Sequence, residues 1–326
     1  MKLQVVQKDT FMINKTEQEI MQNWKGDIGA PLVSICTITY NHEKYIAEAL
    51  DSFLMQETDF PFEIVIDDDC SPDKTEKVIK KYMGKFPNLI KANLRKKNVG
   101  ATINSMENMQ RAKGDYIAYC DGDDSWTDIN KLQIQVDFLE ANKDYVASGH
   151  DAFIIDENGK HLGDSKLPDS QKRNFEAEDL ILGKVWILTI SWVFRNVIPE
   201  TFPDEQHKVL NYDTFMVSWL GLYGKSKYHS DIKPACYRVH TGGIWSMLPK
   251  KEKDDAHLNT YYWLYRYYDR IAEENYAKHY LSKFHTMALS GMERDFIIDT
   301  LPSKFIIKEL ISRILKKVLR LQRHPE

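Results

Sequence analysis

The chain has 326 residues, of which 43% are hydrophobic, 12% aromatic and 28% charged. This is the composition of a globular protein, so disorder is excluded as the main state. The formal net charge of -4 provides no overall attraction to polyanions, which argues against nucleic acid as a partner. The four cysteines are widely spaced and form no Cys-x-x-Cys pair, which argues against a structural zinc site and a disulfide framework.

Localisation is predicted from the apolar segments. The sequence holds no apolar stretch of the roughly 20 residues that a membrane-spanning helix needs. The N-terminal segment also lacks the uninterrupted apolar run of a signal peptide. Because the cysteine pattern fits a reducing compartment, we expect a cytoplasmic protein.

Strands and helices alternate through the first part of the chain. A short helical lead-in is predicted over 12–26, followed by strands at 33–39, 62–66, 89–93 and 116–120. Helices are predicted between them at 43–56, at 74–83 and from the 98–100 turn to about 112. This alternation predicts an α/β fold with a mostly parallel sheet flanked by helices, whose ligands bind beyond the carboxyl ends of the strands.

An acidic cluster, Asp121-Gly122-Asp123-Asp124, follows directly after the apolar strand predicted at 116–120. Crowded carboxylates repel one another unless a cation neutralises them, and oxygen ligands suit Mg²⁺ or Mn²⁺. The context predicts a divalent ion that holds a pyrophosphate. The alternative is a solvated acidic turn, because the motif is short.

A second group of acids, Asp67-Asp68-Asp69, follows the strand predicted at 62–66. A carboxylate in this place can accept hydrogen bonds from a nucleobase N–H or a ribose hydroxyl. Ser71 and Asp73 lie just before the next helix, where capping of its free N–H groups is the favoured role.

Four blocks, in this order and spacing, resemble the family 2 glycosyltransferases with a GT-A fold. The resemblance covers roughly residues 31–245, and the blocks are PLVSICTITYNH at 31–42, EIVIDDDCSPDKT at 63–75, Asn98-x-Gly100 with Asn104, and GDYIAYCDGDD at 114–124. It implies a nucleoside diphosphate sugar donor, with a UDP-sugar favoured, and Mn²⁺ or Mg²⁺ as cofactor.

The resemblance assigns roles to individual positions. Thr39 and Tyr40 would flank the base and Asp69 would read the uracil edge, while Asp121 would face ribose or metal and Asp123 would be the main metal ligand. Asn104 would line the floor near the donor, and the other nucleotide-sugar-binding positions implied are Asn41, Asn98 and Gly100. One departure concerns the Arg that many members carry close to Asn104, since the nearest upstream cations here are Arg95, Lys96 and Lys97.

In the acceptor half, Asp213 of Asn211-Tyr212-Asp213-Thr214 lies where the family places its general base, although Tyr212 replaces the usual preceding acid. A base must lie within hydrogen-bond reach of the attacking hydroxyl. The alternative is that Asp213 caps the helix that follows.

The block Tyr237-Arg238-Val239-His240-Thr241-Gly242-Gly243 resembles the Tyr-Arg-x-His block that closes many members. The resemblance implies that His240 binds the metal or the diphosphate, since histidine is a frequent metal ligand. A structural histidine is the alternative, and Trp245 is expected in the core.

These observations predict an N-terminal lead-in at 1–30, a GT-A catalytic domain at 31–250 and a C-terminal helical region at 251–326. The domain divides into a nucleotide-sugar half at 31–125 and an acceptor half at 126–250. Residues 303–324 form a basic amphipathic pattern, which predicts contact with the inner face of the cell membrane, while a helix docked on the domain is the alternative.

The predicted function is an inverting, metal-dependent, hexosyltransferase-type glycosyltransferase. Its acceptor would be a hydroxyl on a growing, lipid-linked glycan or a bacterial surface polysaccharide, by analogy with the family. The alternative is a non-catalytic nucleotide- or sugar-binding protein of the same fold. A nucleotidyltransferase is disfavoured, because Tyr40-Asn41-His42 stands where a Gly-rich phosphate loop with Arg or Lys would be needed.

Overall fold

The structure, a computed structural model, describes residues 13–198 and 202–289. The strands are β1 Val33–Thr39, β2 Phe62–Asp68, β3 Ile90–Leu94, β4 Tyr116–Tyr119, β5 Tyr145–Gly149, β6 Ala152–Asp156, β7 His161–Gly163, β8 Val193–Arg195, β9 Lys225–Tyr228 and β10 Ala235–Val239. The helices are α1 Glu17–Met21, α2 Ile46–Leu54, α3 Thr75–Lys85, α4 Ala101–Gln110, α5 Lys131–Ala141, α6 Ala177–Ile181, α7 Tyr212–Leu220, α8 Ile244–Met247, α9 Lys250–Arg270 and α10 Glu274–Leu289.

The central sheet has the strand order β3-β2-β1-β4-β8-β5-β9. Strand β8 is antiparallel to both of its neighbours, and the other pairings are parallel. Strands β2 and β4 are buried along their whole length, as expected for apolar strands covered on both faces. The predicted mostly parallel α/β sheet is confirmed, and the loops after β1, β2 and β4 meet at one edge of it.

Several predicted boundaries differ from the structure. Strand β2 runs to Asp68 instead of residue 66, so Asp67 and Asp68 lie in the strand and only Asp69 follows it. The lead-in helix covers only Glu17–Met21, because Thr16 and Glu19 close its N-terminus as a capping box. Helix α2 begins at Ile46 instead of residue 43, because His42 O accepts the backbone N–H groups of Tyr45 and Ile46 in a turn before the helix.

A smaller sheet with the order β10-β6-β7 lies against the same edge. Strand β10 is parallel to β6, and its Cys236 pairs with Ser125 in an antiparallel bridge. The bridge holds the first residues of β10 beside the loop after β4, so residues far apart in the sequence become neighbours there.

Helices α9 and α10 complete the described part of the chain and pack on α7. The rings of Tyr268 and Tyr280 stack with centroids 5.7 Å apart, and both hydroxyls hydrogen-bond to Ser218 of α7. This packing fixes the position of α7, whose first turn carries Asp213. The predicted domain boundaries stay predictions.

The basic segment at 303–324 lies outside the described residues, so its predicted contact with a membrane stays a prediction. Among the helices of the described ranges, none combines the length and the apolar character needed to cross a membrane.

Candidate active site

Gly122 sets the path of the loop after β4. Its N–H donates to the Ile38 carbonyl at 2.9 Å, which brings the loop against β1. A Cβ atom added at this position would lie 2.9 Å from Thr39 Cβ and 3.0 Å from Ile46 Cδ1. Glycine is therefore required for this approach, and the acids on either side of it are held at the end of β1.

The three predicted base-side residues at the end of β1 differ in their exposure. Thr39 is 2% exposed and packs against Gly122, whereas the Tyr40 ring is 46% exposed at the rim. Asn41 takes the left-handed conformation with φ 61°, and its N–H donates to Ser71 Oγ at 2.8 Å. Only Tyr40 and Asn41 of these three therefore have side chains open to a ligand.

A carboxylate and two imidazoles meet beyond the end of β4. His240 Nε2 lies 2.9 Å from Asp123 Oδ2, and His42 Nε2 lies 3.6 Å from the same oxygen. One donor atom from each of the three residues falls within a group whose members all lie within 4.8 Å of one another. Such a set of one carboxylate and two imidazoles is suited to a divalent metal ion.

The pKa values of Asp121 and Asp123 are shifted in opposite directions. Burial alone would raise the pKa of Asp123, but the hydrogen bond from His240 and the charges of His42 and His240 lower it overall. Burial, followed by the charges of Asp123 and Asp213, raises the pKa of Asp121 to about 7. Asp123 is therefore the more readily ionised acid of the Asp-Gly-Asp motif.

Arg238 supports the cluster of His42, Asp123 and His240 through contacts with the loop after β4 and with α2. Its backbone N–H donates to Asp124 Oδ1 at 2.8 Å, and its Nε donates to the Asp123 carbonyl at 2.9 Å. Its guanidinium also pairs with Glu48 of α2 at 2.8 Å. Because β10 continues from Arg238 to His240, these contacts fix both Asp123 and His240.

Asp69 holds the 98–100 turn. Its carboxylate accepts the backbone N–H groups of Val99 at 2.8 Å and Gly100 at 2.9 Å, and its carbonyl accepts Asn98 Nδ2 at 3.1 Å. Three predicted nucleotide-binding residues, Asp69, Asn98 and Gly100, are thus brought into contact. Each carboxylate oxygen has a further lone pair, so an acceptor remains for a base N–H.

Asn104 is 1% exposed and lies below this turn. Its Oδ1 accepts Arg95 Nε at 2.6 Å, and Arg95 also pairs with Asp67 at 3.2 Å and with Glu107 at 2.6 Å. The buried Asp67 also pairs with Arg111. Arg95 and Arg111 thus neutralise the protein's own acids, and neither is a free cation for a diphosphate.

Asp213 faces the donor half from the first turn of α7. The cap of this helix is Asn211, whose side chain accepts the Thr214 N–H at 3.2 Å, although Asp213 Oδ1 also lies 3.2 Å from the same nitrogen. Burial raises the pKa of Asp213, and its charge in turn raises the pKa of Asp121. The two carboxyls therefore lie close enough to interact electrostatically.

The model of the family described as glycosyl transferase family 2 matches residues 34–195. The match includes the loops after β1, β2 and β4. The chain carries a glycosyltransferase domain of family 2. An uncharacterized protein of Mycobacterium tuberculosis, Rv1520, is 35% identical to the chain over 213 residues, which are 65% of this chain and 60% of that protein. The chain thus spans about 60% of the length of this relative.

Solved structures establish the fold of this family 2 domain as GT-A. The Staphylococcus aureus TarS 1–349 fragment in complex with UDP-GlcNAc superposes with a TM-score of 0.54 at 21% identity, over 71% of this chain and 66% of that one. The mannosyltransferase PcManGT from Pyrobaculum calidifontis, in complex with GDP-Man and Mn²⁺, gives 0.52 at 16% identity, over 94% and 89%.

Two residues of the family 2 site were missed by the sequence analysis. His42 was named only within Tyr40-Asn41-His42, although it lies in the matched segment. Arg238 was quoted only as part of a block. In each case the partner is distant in sequence: Asp123 is 81 residues from His42, and Glu48 is 190 from Arg238.

Of the two residues predicted to cap α3, Asp73 does so and Ser71 does not. Asp73 Oδ1 accepts the Thr75 N–H at 2.9 Å, as expected for a cap. Ser71 instead bonds Asp68 and accepts the Asn41 N–H, so it ties the loops after β1 and β2 together.

Proposed function

We propose that the chain is an inverting, metal-dependent glycosyltransferase of hexosyltransferase type, which moves a sugar from a nucleoside diphosphate donor to an acceptor hydroxyl. The observation that carries this proposal is that Asp213 lies close enough to the loop of Asp121 and Asp123 for its charge to raise the pKa of Asp121. Asp123 and His240 are in contact on the donor side, and Asp213 approaches from the first turn of α7. In a family 2 domain, this arrangement supports metal-assisted loss of a nucleoside diphosphate and proton removal by Asp213.

The residues present fit a divalent ion. Asp123 has a lowered pKa, so it offers an anionic oxygen, and His240 offers an imidazole nitrogen beside it. In the proposed enzyme, Asp123 and His240 hold Mn²⁺ or Mg²⁺. A bound ion of this kind supplies Lewis-acid stabilisation for the negative charge that develops on a leaving diphosphate.

Asp213 is the proposed general base. Its carboxylate takes the proton from the acceptor hydroxyl as the acceptor oxygen bonds to the anomeric carbon. The bond from that carbon to the diphosphate oxygen breaks on the opposite face, and the electron pair leaves with the nucleoside diphosphate. The configuration at the anomeric carbon is therefore inverted, and no covalent enzyme intermediate forms.

A UDP-sugar is the proposed donor. Support comes from the TarS structures with UDP and UDP-GlcNAc, while the GDP-Man complex of PcManGT makes guanosine the first rival. Asp69 is the proposed uracil contact, with Tyr40 and Asn41 beside it and Asn98, Gly100 and Asn104 forming the floor. The proposed acceptor is a hydroxyl of a growing, lipid-linked glycan or surface polysaccharide, in line with the poly(ribitol-phosphate) N-acetylglucosaminyltransferase named among the relatives.

Titration calorimetry of UDP, with and without Mn²⁺, tests the donor site. We expect binding to wild-type protein with Mn²⁺, and loss of at least about 10-fold in affinity when Mn²⁺ is left out or in Asp123→Ala, because the ion joins the protein to the diphosphate. GDP and ADP titrations serve as comparisons. The proposed metal-dependent site would be refuted if UDP bound equally well without Mn²⁺ and if Asp123→Ala bound UDP as tightly as wild type.

A further inference from the structure

We propose that His42 is a third protein ligand of the divalent ion, so that the site binds a transition-metal ion before any nucleotide arrives. This inference rests on the proposed metal site at Asp123 and His240. It adds a third side chain that binds the ion, and it states that the ion binds before the nucleotide. With two imidazoles and one carboxylate, the site would also bind transition-metal ions in preference to Mg²⁺.

The first argument is that His42 Nε2 points at Asp123 without forming a hydrogen bond to it. Its Nδ1 is buried without a hydrogen-bond partner, and its Nε2 lies 3.6 Å from Asp123 Oδ2, too far for a hydrogen bond. The side chain is only 12% exposed. The nitrogen that faces Asp123, Nε2, lies beyond hydrogen-bond distance of that carboxylate, so its lone pair is available to a metal ion.

The second argument is that the backbone holds this ring in place. The His42 N–H donates to Thr75 Oγ1 at 2.9 Å, and that hydroxyl donates to Asp73 Oδ1 at 2.6 Å. The ring lies at 5.7 Å, centroid to centroid, from the His240 ring in an edge-to-face arrangement. The imidazole is therefore positioned before any ligand binds, which lowers the entropy cost of coordination.

The third argument is the spacing of the ligand atoms. Metal–ligand distances of about 2.0–2.2 Å place neighbouring ligand atoms about 3.0–3.5 Å apart around a tetrahedral or octahedral ion. The distances from Asp123 Oδ2 to His240 Nε2 and His42 Nε2, 2.9 and 3.6 Å, bracket this range. Small side-chain movements therefore suffice to close three ligands on one ion.

Two hydrogen bonds of His240 must change when the ion binds, the one to Asp123 Oδ2 and the one from Gly242. The Gly242 N–H donates to His240 Nδ1 at 3.2 Å, so His240 Nε2 carries the ring proton that faces Asp123. Coordination through Nε2 transfers the proton to Nδ1 and displaces the Gly242 N–H. The start of the 242–243 glycine pair is thereby released for contact with a phosphate oxygen.

The ligand set also predicts which ion is preferred. Imidazole nitrogen favours first-row transition metals, whereas Mg²⁺ prefers oxygen ligands and keeps its waters. Three protein ligands on one side of an ion leave positions open for diphosphate oxygens. We therefore expect Mn²⁺ or Co²⁺ to bind without nucleotide and Mg²⁺ to compete poorly.

The experiment is nucleotide-free Mn²⁺ titration, followed by the loss of the free-ion electron paramagnetic resonance signal. Wild-type protein should bind one Mn²⁺, and a 100-fold excess of Mg²⁺ should leave most of it bound. His42→Ala should weaken Mn²⁺ binding at least ~10-fold, since even partners of metal ligands contribute 10- to 100-fold. His207→Ala removes an exposed histidine and is the matched control, with binding unchanged.

A second measurement avoids reliance on a folded variant. Electron spin-echo modulation of Mn²⁺ on wild-type protein should show two coordinated imidazole nitrogens, and one nitrogen only would overturn the proposal. Equal Mn²⁺ affinity of wild type and a folded His42→Ala would also overturn it. If UDP binding still needed Mn²⁺ and Asp123 in that case, the proposed function would stand without the third ligand.

Discussion

Single side chains decide the chemistry at the edge of the sheet. Gly122 lets the acidic loop approach β1, and no larger residue fits between Thr39 and Ile46. The paired acids around it then divide their roles, because Asp123 meets two imidazoles while Asp121 meets Tyr119 Oη at 3.1 Å and the charges of other acids. Environment, more than residue type, therefore shifts the pKa values of these two carboxyls in opposite directions.

At the same scale, the pKa of Asp213 predicts a pH dependence. Burial raises this pKa above the ordinary value, and a general base works only when it is deprotonated. We expect kcat/KM to fall as the pH is lowered through the raised pKa, so that the acidic limb lies above the usual Asp range. A pH profile of UDP release from a UDP-sugar measures this limb.

The Asp213→Asn variant is the control for this assignment. It should bind UDP and Mn²⁺ as wild type does and lose about 10²- to 10⁴-fold in kcat. Near-native turnover with an unchanged acidic limb would contradict the role of Asp213 as base.

At the scale of elements, helix α5 begins with a buried lysine that destabilises the folded state. Lys131 is fully buried, its Nζ has no hydrogen-bond partner, and it lies 4.1 Å from the centre of the Trp126 ring. Burial lowers its pKa to about 7. A cation in the first turn of a helix is also disfavoured by the helix dipole.

Replacement of this lysine should therefore stabilise the protein in a pH-dependent way. In the unfolded chain the pKa is about 10.4, so folding costs on the order of 4 kcal/mol below pH 7 and nothing above about pH 10. We expect Lys131→Met to raise the free energy of unfolding at pH 6 and to lose most of this gain by pH 10. Urea unfolding at both pH values tests this, and an equal effect at the two values would contradict the buried, neutralised lysine.

At the scale of the whole molecule, the sequence predicts individual strands and helices but not the contacts between residues that are far apart in the chain. The strands of the donor half could be predicted because each is an apolar run between turn signals. Strand β4 and its acidic loop are predicted by residues 116–124 alone. Helix and strand ends differ by a few residues because caps and turns, such as Thr16 with Glu19, set them.

The site required contacts that no local pattern specifies. His240 could be placed near a metal only through the resemblance of its block to a family, because its partner Asp123 is 117 residues away. His42 has an unremarkable local sequence, and its role depends on β1 lying next to β4 in the sheet. The pairing of Arg95 with Asp67, Asn104 and Glu107 likewise depends on packing that links β2, α4 and the loop after β3.

The most direct test of the central proposal is proton NMR of the wild-type protein with Mn²⁺ and a panel of UDP-sugars, UDP-GlcNAc first. With an α-linked donor, water replaces the acceptor in slow hydrolysis, and the account predicts that the free sugar appears first as the β-anomer together with UDP. Asp123→Ala should abolish this release. Early appearance of the α-anomer would contradict the direct displacement, and UDP binding without release of any sugar in the panel would support a non-catalytic nucleotide-binding protein.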